Sequence, residues 1–156
     1  MPRYIDVIFS IVVWGVIFIL LKPSRIKQLL PAALLSVIVL FITEEFVHAL
    51  ELTKFENPFL PILGIPFFHL VWGAGSGIIF INFLKKEFSK KVLIIFLFAL
   101  LTGLFGYISE QTKSHMHMGK FNDLSNLILD FASLSILAWS SEGLFGKWIY
   151  PNLVEK

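Results

Sequence analysis

Five long apolar runs, separated by short polar connections, constrain this chain more than any other feature. They span residues 4–21, 29–50, 59–84, 92–109 and 124–145. Each supplies roughly the 20 residues a helix needs to cross the hydrocarbon of a bilayer. With 56% hydrophobic and only 15% charged residues, and a mean hydropathy of +0.81, the chain is too apolar for the surface of a soluble domain of this length. The expected fold is therefore all-α: a polytopic membrane protein whose residues 1–156 form one bundle of about five transmembrane helices. The first run leads into Lys22-Pro23-Ser24-Arg25 without a small-residue cleavage pattern, so it is expected to be a retained helix and not a removable signal.

Proline punctuates the runs. Pro23, Pro58 and Pro61 mark boundaries, and Pro31 falls where a first helical turn would tolerate its missing N–H. Pro66 lies inside the third run and predicts a kink there. Gly73 and Gly77, four residues apart, offer close helix contact. The alternative for Gly73 to Gly77 is an unwound segment exposing carbonyls to an ion.

Lys and Arg favour the cytoplasmic side of a membrane. One set of connections and ends carries Lys22, Arg25, Lys27, Lys85, Lys86, Lys90, Lys91, Lys147 and Lys156; the other carries only Arg3, Lys54, Lys113 and Lys120. The N-terminus is thus expected outside and the C-terminus in the cytoplasm, in a bacterial cell membrane. Asp6, Glu44, Glu45, Glu51, Glu56, Glu110, Asp123 and Asp130 then gather in the outer half, against Glu87, Glu142 and Glu155 within. All four histidines also fall on the outer side. The basic bias follows from topology, but the acidic one does not, because acids contribute little to orientation.

The densest local signal is Glu44-Glu45-Phe46-Val47-His48-Ala49-Leu50-Glu51. On a helix Glu44, His48 and Glu51 share one face, with Glu45 three residues before His48. A carboxylate three residues from a histidine is half of the ligand set of helical-bundle metal sites. His69 and Asp130 lie deep within their runs, where ionisable groups are costly and face a bundle interior or a water-filled cavity. Glu110 closes the fourth run, and Asp6 shares a face with Ser10 on the first. The expected site is Glu44, Glu45, His48, His69, Glu110 and Asp130, binding a divalent metal ion of unspecified identity or a proton. Asp123 reads as a helix N-cap. Ser114-His115-Met116-His117-Met118 could favour copper through imidazole and thioether, or fold a histidine over the glutamates as a lid.

Several chemistries are absent from the sequence. It has no cysteine, which removes thiolate sites and cysteine nucleophiles. It has no His-Glu-x-x-His and no Gly-x-Ser-x-Gly. A net charge of +2 does not point to nucleic acid. Three functions remain. The first is a cation-binding transporter, sensor or complex subunit, and the second a membrane-embedded metal-dependent hydrolase acting on a lipid or isoprenoid. The third is a structural or assembly subunit without chemistry. The partners expected are membrane lipid and further copies or a larger membrane complex.

Overall fold

A computed structural model describes residues 4–150; of the charges used above for orientation, Arg3, Glu155 and Lys156 lie outside the described residues. The fold is mostly helical, with five α-helices: α1 (Ile5–Leu20), α2 (Pro23–Ala49), α3 (Phe67–Phe83), α4 (Phe88–Gln111) and α5 (Asp123–Phe145). Helices α2, α4 and α5, of 27, 24 and 23 residues, are long and apolar enough to cross a membrane, which marks the chain as a membrane protein. Helices α1 and α3 are apolar but shorter, at 16 and 17 residues.

Local chemistry explains where each helix starts. Pro23 opens α2 at a position whose N–H would go unpaired in any case. Because α2 starts there, Pro31 lies within the helix and not in its first turn. The third helix begins at Phe67 and not at residue 59, and Pro66 caps it instead of kinking it. The apolar stretch before it is a small hairpin, β2 (Pro61–Ile62) on β3 (Ile65–Pro66), turned by Leu63 and Gly64 at positive φ. Two prolines and a glycine in six residues are turn chemistry that outweighs the hydropathy of the run. At α5 the cap is Asn122, whose side chain accepts from the Ser125 N–H at 3.0 Å. Asp123 is therefore not the cap, and its carboxylate is left available.

The loops at one end form a second ribbon. Thr53–Phe55 (β1) pairs antiparallel with His115–His117 (β4), Thr53 opposite His117 and Phe55 opposite His115. This end also holds the start of α1 and the β2–β3 hairpin. The opposite end carries Lys22, Lys27, Lys85, Lys86 and Lys90, all exposed.

Helix α3 is the most buried helix and packs between α1 and α2, while α4 pairs with α5 and α5 also rests on α2. An edge-on contact between Phe9 and Phe105, with ring centroids 4.6 Å apart, joins α1 to α4 and closes the ring of helices. Gly73 and Gly77 face Leu40 and Ser36 of α2, and Gly75 faces Val13 and Trp14 of α1. Small residues on both sides of α3 let two neighbours approach at once. The Ser36 hydroxyl donates to the Gly73 carbonyl at 2.9 Å across the first of these contacts. Helix α3 is continuous through this stretch, so the unwound alternative does not occur. Outward-facing side chains are apolar: Ile11, Phe18, Ile19, Leu34, Ile42 and Leu124 are 62–83% exposed. Apolar surface this extensive suits lipid and not water.

Candidate functional site: an acidic cavity within the helix ring

The five helices enclose a cavity of about 110 Å³ beneath the β1–β4 ribbon. Every helix contributes to its wall: Phe9 from α1, Thr43 and Glu44 from α2, His69 and Trp72 from α3, Thr102 and Phe105 from α4, Asn126 and Asp130 from α5. Thr53 and His115 line it from the ribbon. One turn past its innermost residues, Phe80, Ile81 and Ile95 are fully buried and close the floor.

At its centre stands His69, on the first turn of α3. Its Nδ1 lies 2.9 Å from Asp6 Oδ1, and its Nε2 lies 3.4 Å from Glu44 Oε1. The first distance is a hydrogen bond; the second is an ion-pair distance longer than a good hydrogen bond. One imidazole thus bridges carboxylates of α1 and α2. The local frame that positions it is rigid. Ser10, one turn after Asp6, donates to the Phe68 carbonyl at 2.7 Å, and Trp14 donates to the Val71 carbonyl at 3.0 Å, pinning α1 to α3. The His69 ring also packs against Phe55 and Trp72, with centroids 5.2 and 5.3 Å away.

Asp130 occupies the wall formed by α4 and α5. Its Oδ2 accepts from Thr102 Oγ1 at 3.1 Å and from Asn126 Nδ2 at 3.2 Å. A polar seam continues beside it, where Thr43 and Ser133 share a hydrogen bond of 3.0 Å. His115 hangs from the ribbon over this arrangement, its ring 4.7 Å from that of Phe55. Burial lowers the pKa of its imidazole below the ordinary range and so favours the neutral ring.

The polar atoms of the cavity are incompletely paired. Glu44 Oε2, His69 Nε2, Trp72 Nε1 and His115 Nε2 are all buried without a hydrogen-bond partner. Native interiors leave few such atoms, and four on the wall of one cavity indicate that something polar or charged belongs there. Three carboxylates face or adjoin this space, and among the described residues lining it there is no Lys or Arg; the one group placed to counter the acids is His69, between Asp6 and Glu44.

The six residues expected from sequence divide into two groups. Glu44, His69 and Asp130 line the cavity. Glu45, one residue round the helix, does not line it, although its Oε1 is buried and unpaired. His48 is exposed, beside Gly64 of the β2–β3 hairpin. Glu51 falls beyond the end of α2 with φ 53°, so it does not share a helical face with Glu44. Glu110 lies at the rim with His117 and Asp123. Asp6 and Trp72 complete the central group and were not among the six. In the sequence Asp6 stands out only by its shared face with Ser10, and Trp72 carries no signal beyond lying three residues after His69. His115 takes the lid position, whereas Met116 points to the opposite face of β4 by strand alternation and Met118 lies past the end of the strand. Among the described residues, the one trio of donors all within 4.8 Å of one another is Glu110, His117 and Asp123; the central group forms none.

Compared with known proteins, the chain matches no family model, no curated protein and no solved structure.

Proposed function

We propose that this chain is a small cell-membrane protein that binds a cation in the acidic cavity, and that the cation is an ammonium group carried on an apolar body. The observation that supports this most is the combination of carboxylates with unpaired polar atoms at one end of a largely aromatic and aliphatic chamber. A bare divalent ion asks for three or more converging donors, which the central group does not present. An ammonium asks for carboxylate acceptors and tolerates or gains from aromatic faces. Phe9, Trp72 and Phe105 supply the aromatic rings, packed on one another with centroids 4.6–6.4 Å apart, Phe105 edge-on to both others. His69, held by Asp6, positions the charge of Glu44 and shares the cavity with the ligand.

In this reading all five helices cross a bacterial cell membrane, with the ribbon end outside and the lysine-rich end in the cytoplasm. Helices of 16 and 17 residues reach about 24–26 Å, slightly short of the hydrocarbon, a mismatch that local thinning accommodates. The closed floor favours a receptor or sensor, or the outward state of a carrier that oligomerises, over an open conduit. Thermal unfolding of the purified chain in detergent tests the ligand class. The 2-phenylethylammonium ion should stabilise it, and 2-phenylethanol, similar in shape but neutral, should not. Stabilisation by Mn²⁺ or Zn²⁺ that Glu44→Gln removes would return the cavity to a metal.

One observation favours a second reading. A histidine with Nδ1 held by Asp6 and Nε2 beside Glu44 at the cavity wall can relay a proton between a substrate and that carboxylate, with Glu44 as the base. With the apolar wall beside it, the pair would suit hydrolysis of a lipid or isoprenoid. Turnover of a short-chain phospholipid or ester by the wild-type chain, lost in His69→Asn, would establish that reading.

A further inference from the structure

A second constellation lies outside the cavity, where α4 ends, β4 ends and α5 begins. His117 Nδ1 stands 3.5 Å from Glu110 Oε2 and 3.6 Å from Asp123 Oδ1. The donor atoms of all three side chains lie within 4.8 Å of one another. We infer that Glu110, His117 and Asp123 form a binding site for a divalent transition metal of the zinc class, which clasps the ribbon to the α4–α5 pair.

Three observations carry this. First, the two separations are too long for good hydrogen bonds, yet they match the spacing of ligands around an ion. Bonds of about 2.0–2.2 Å in a tetrahedron place neighbouring ligands roughly 3.4 Å apart. Second, the His117 side chain is only 7% exposed, and its ring makes no hydrogen bond to the described residues. Its Nδ1 sits between the two carboxylates at ion-pair distance from both, the point at which one cation would bridge all three side chains. Third, the local structure commits each ligand. Asn122 takes the capping role at α5 and leaves the Asp123 carboxylate free, and the register Thr53↔His117 fixes the strand that carries the histidine.

The donor set also selects the ion. One imidazole and two carboxylates suit Zn²⁺, while alternation along β4 puts the Met116 thioether on the face opposite His117, and a donor set rich in oxygen disfavours Cu(I). Three protein ligands leave a fourth position for water, on the side where Asp123 is 68% exposed. The consequence reaches the cavity mechanically. His115 sits two residues before His117 on the same strand face, their rings 5.9 Å apart. An ion on His117 would hold the ribbon that carries His115 over the cavity mouth.

Co²⁺ is a suitable probe, because four-coordinate Co²⁺ absorbs visible light strongly and Zn²⁺ displaces it. The full chain, purified in detergent and stripped with a chelator, should bind one Co²⁺ with a four-coordinate spectrum that Zn²⁺ abolishes. Asp123→Asn, at an exposed position, should keep the helical content and weaken Co²⁺ binding roughly tenfold or more, at least the scale seen for changes beyond the ligands themselves. His117→Gln should abolish binding, and Glu44→Gln should leave it unchanged. A missing four-coordinate spectrum in the wild-type chain would overturn the inference. So would Asp123→Asn binding Co²⁺ as tightly as wild type, or loss of binding in Glu44→Gln. Loss of binding in Glu44→Gln would place the ion in the cavity and count against the ammonium reading as well; the other outcomes leave that reading untouched.

Discussion

His69 and Asp6 are 63 residues apart in sequence and 2.9 Å apart in space. Their hydrogen bond ties the first turn of α3 to the first turns of α1 and orients the ring so that its other nitrogen faces Glu44 and the cavity. Because His69 is largely buried, removing Asp6 leaves its Nδ1 unpaired away from water. Asp6→Ala should lower unfolding free energy by about 3–5 kcal/mol, the scale for breaking a buried pair from one side. Asp6→Asn, which keeps an oxygen near Nδ1, should lose less. Denaturant unfolding in detergent measures both, and equal losses would show that the carboxylate charge and hydrogen bond play no part.

The glycines of α3 should differ in their sensitivity to an added methyl group. At Gly77 a Cβ would collide with Ser36 close to the α2 backbone, and Ser36 is held by its bond to Gly73. At Gly73 it would meet the end of the Leu40 side chain, which can swing into the cavity. At Gly15 it would meet nothing within 4 Å. Gly77→Ala should therefore cost about 1–3 kcal/mol, and Gly73→Ala clearly less. Gly15→Ala should be neutral or gain up to about 1 kcal/mol from helix propensity. The same unfolding measurement orders the three variants.

Arg25 carries a structural role that its charge alone does not reveal. Its guanidinium donates to Asn82 Oδ1 at 3.0 Å, to Gln28 Oε1 at 2.9 Å and to the carbonyls of Trp148 and Ile149. It thus joins α2, α3 and the segment after α5. A lysine keeps the charge that governs orientation but cannot reproduce the fork. Arg25→Lys should leave the topology intact, as judged by labelling of single cysteines introduced in the loops, and lower stability by about 1–3 kcal/mol.

Tyr150 gives a pH dependence at the same end. Its hydroxyl donates to Glu142 Oε1 at 2.8 Å, and Lys91 pairs with the other Glu142 oxygen. Burial, then the neighbouring carboxylate, raises the phenol's pKa well above its ordinary value of 10.0. Below that pH both folded and unfolded chains keep the proton. Above it the unfolded chain releases the proton and the folded chain retains it, so this contribution to stability declines as pH rises past about 10. Tyr150→Phe should show a shallower alkaline decline than wild type, measured by unfolding between pH 9 and pH 11 (about the range in which free tyrosine titrates).

Much of this architecture is legible in the sequence, because hydropathy over some 20 residues reports a bilayer-length helix whatever its neighbours. The exception is instructive. Residues 59–66 read as membrane helix by apolarity, but Pro61, Gly64 and Pro66 force a hairpin that hydropathy does not weigh. The site divides on similar lines. His69 and Asp130 could be found because ionisable groups deep in apolar runs seldom lack a reason. Which neighbours of Glu44 join it depends on helix rotation, and there one residue, about 100° of turn, separates Glu44 in the cavity from Glu45 beside it. Asp6 stands near a helix end, where an acid is unremarkable, and only tertiary packing brings it to His69. The rim trio comes from three separate elements, with Asp123 freed by its neighbour Asn122, so no local spacing announces it.

The most direct test of the central claim is calorimetric titration of 2-phenylethylammonium into the purified chain and into Glu44→Gln. The cavity account predicts saturable binding of one ion per wild-type chain, abolished in Glu44→Gln and absent when 2-phenylethanol replaces the amine. Undiminished binding in Glu44→Gln, or equal binding of the alcohol, would contradict it.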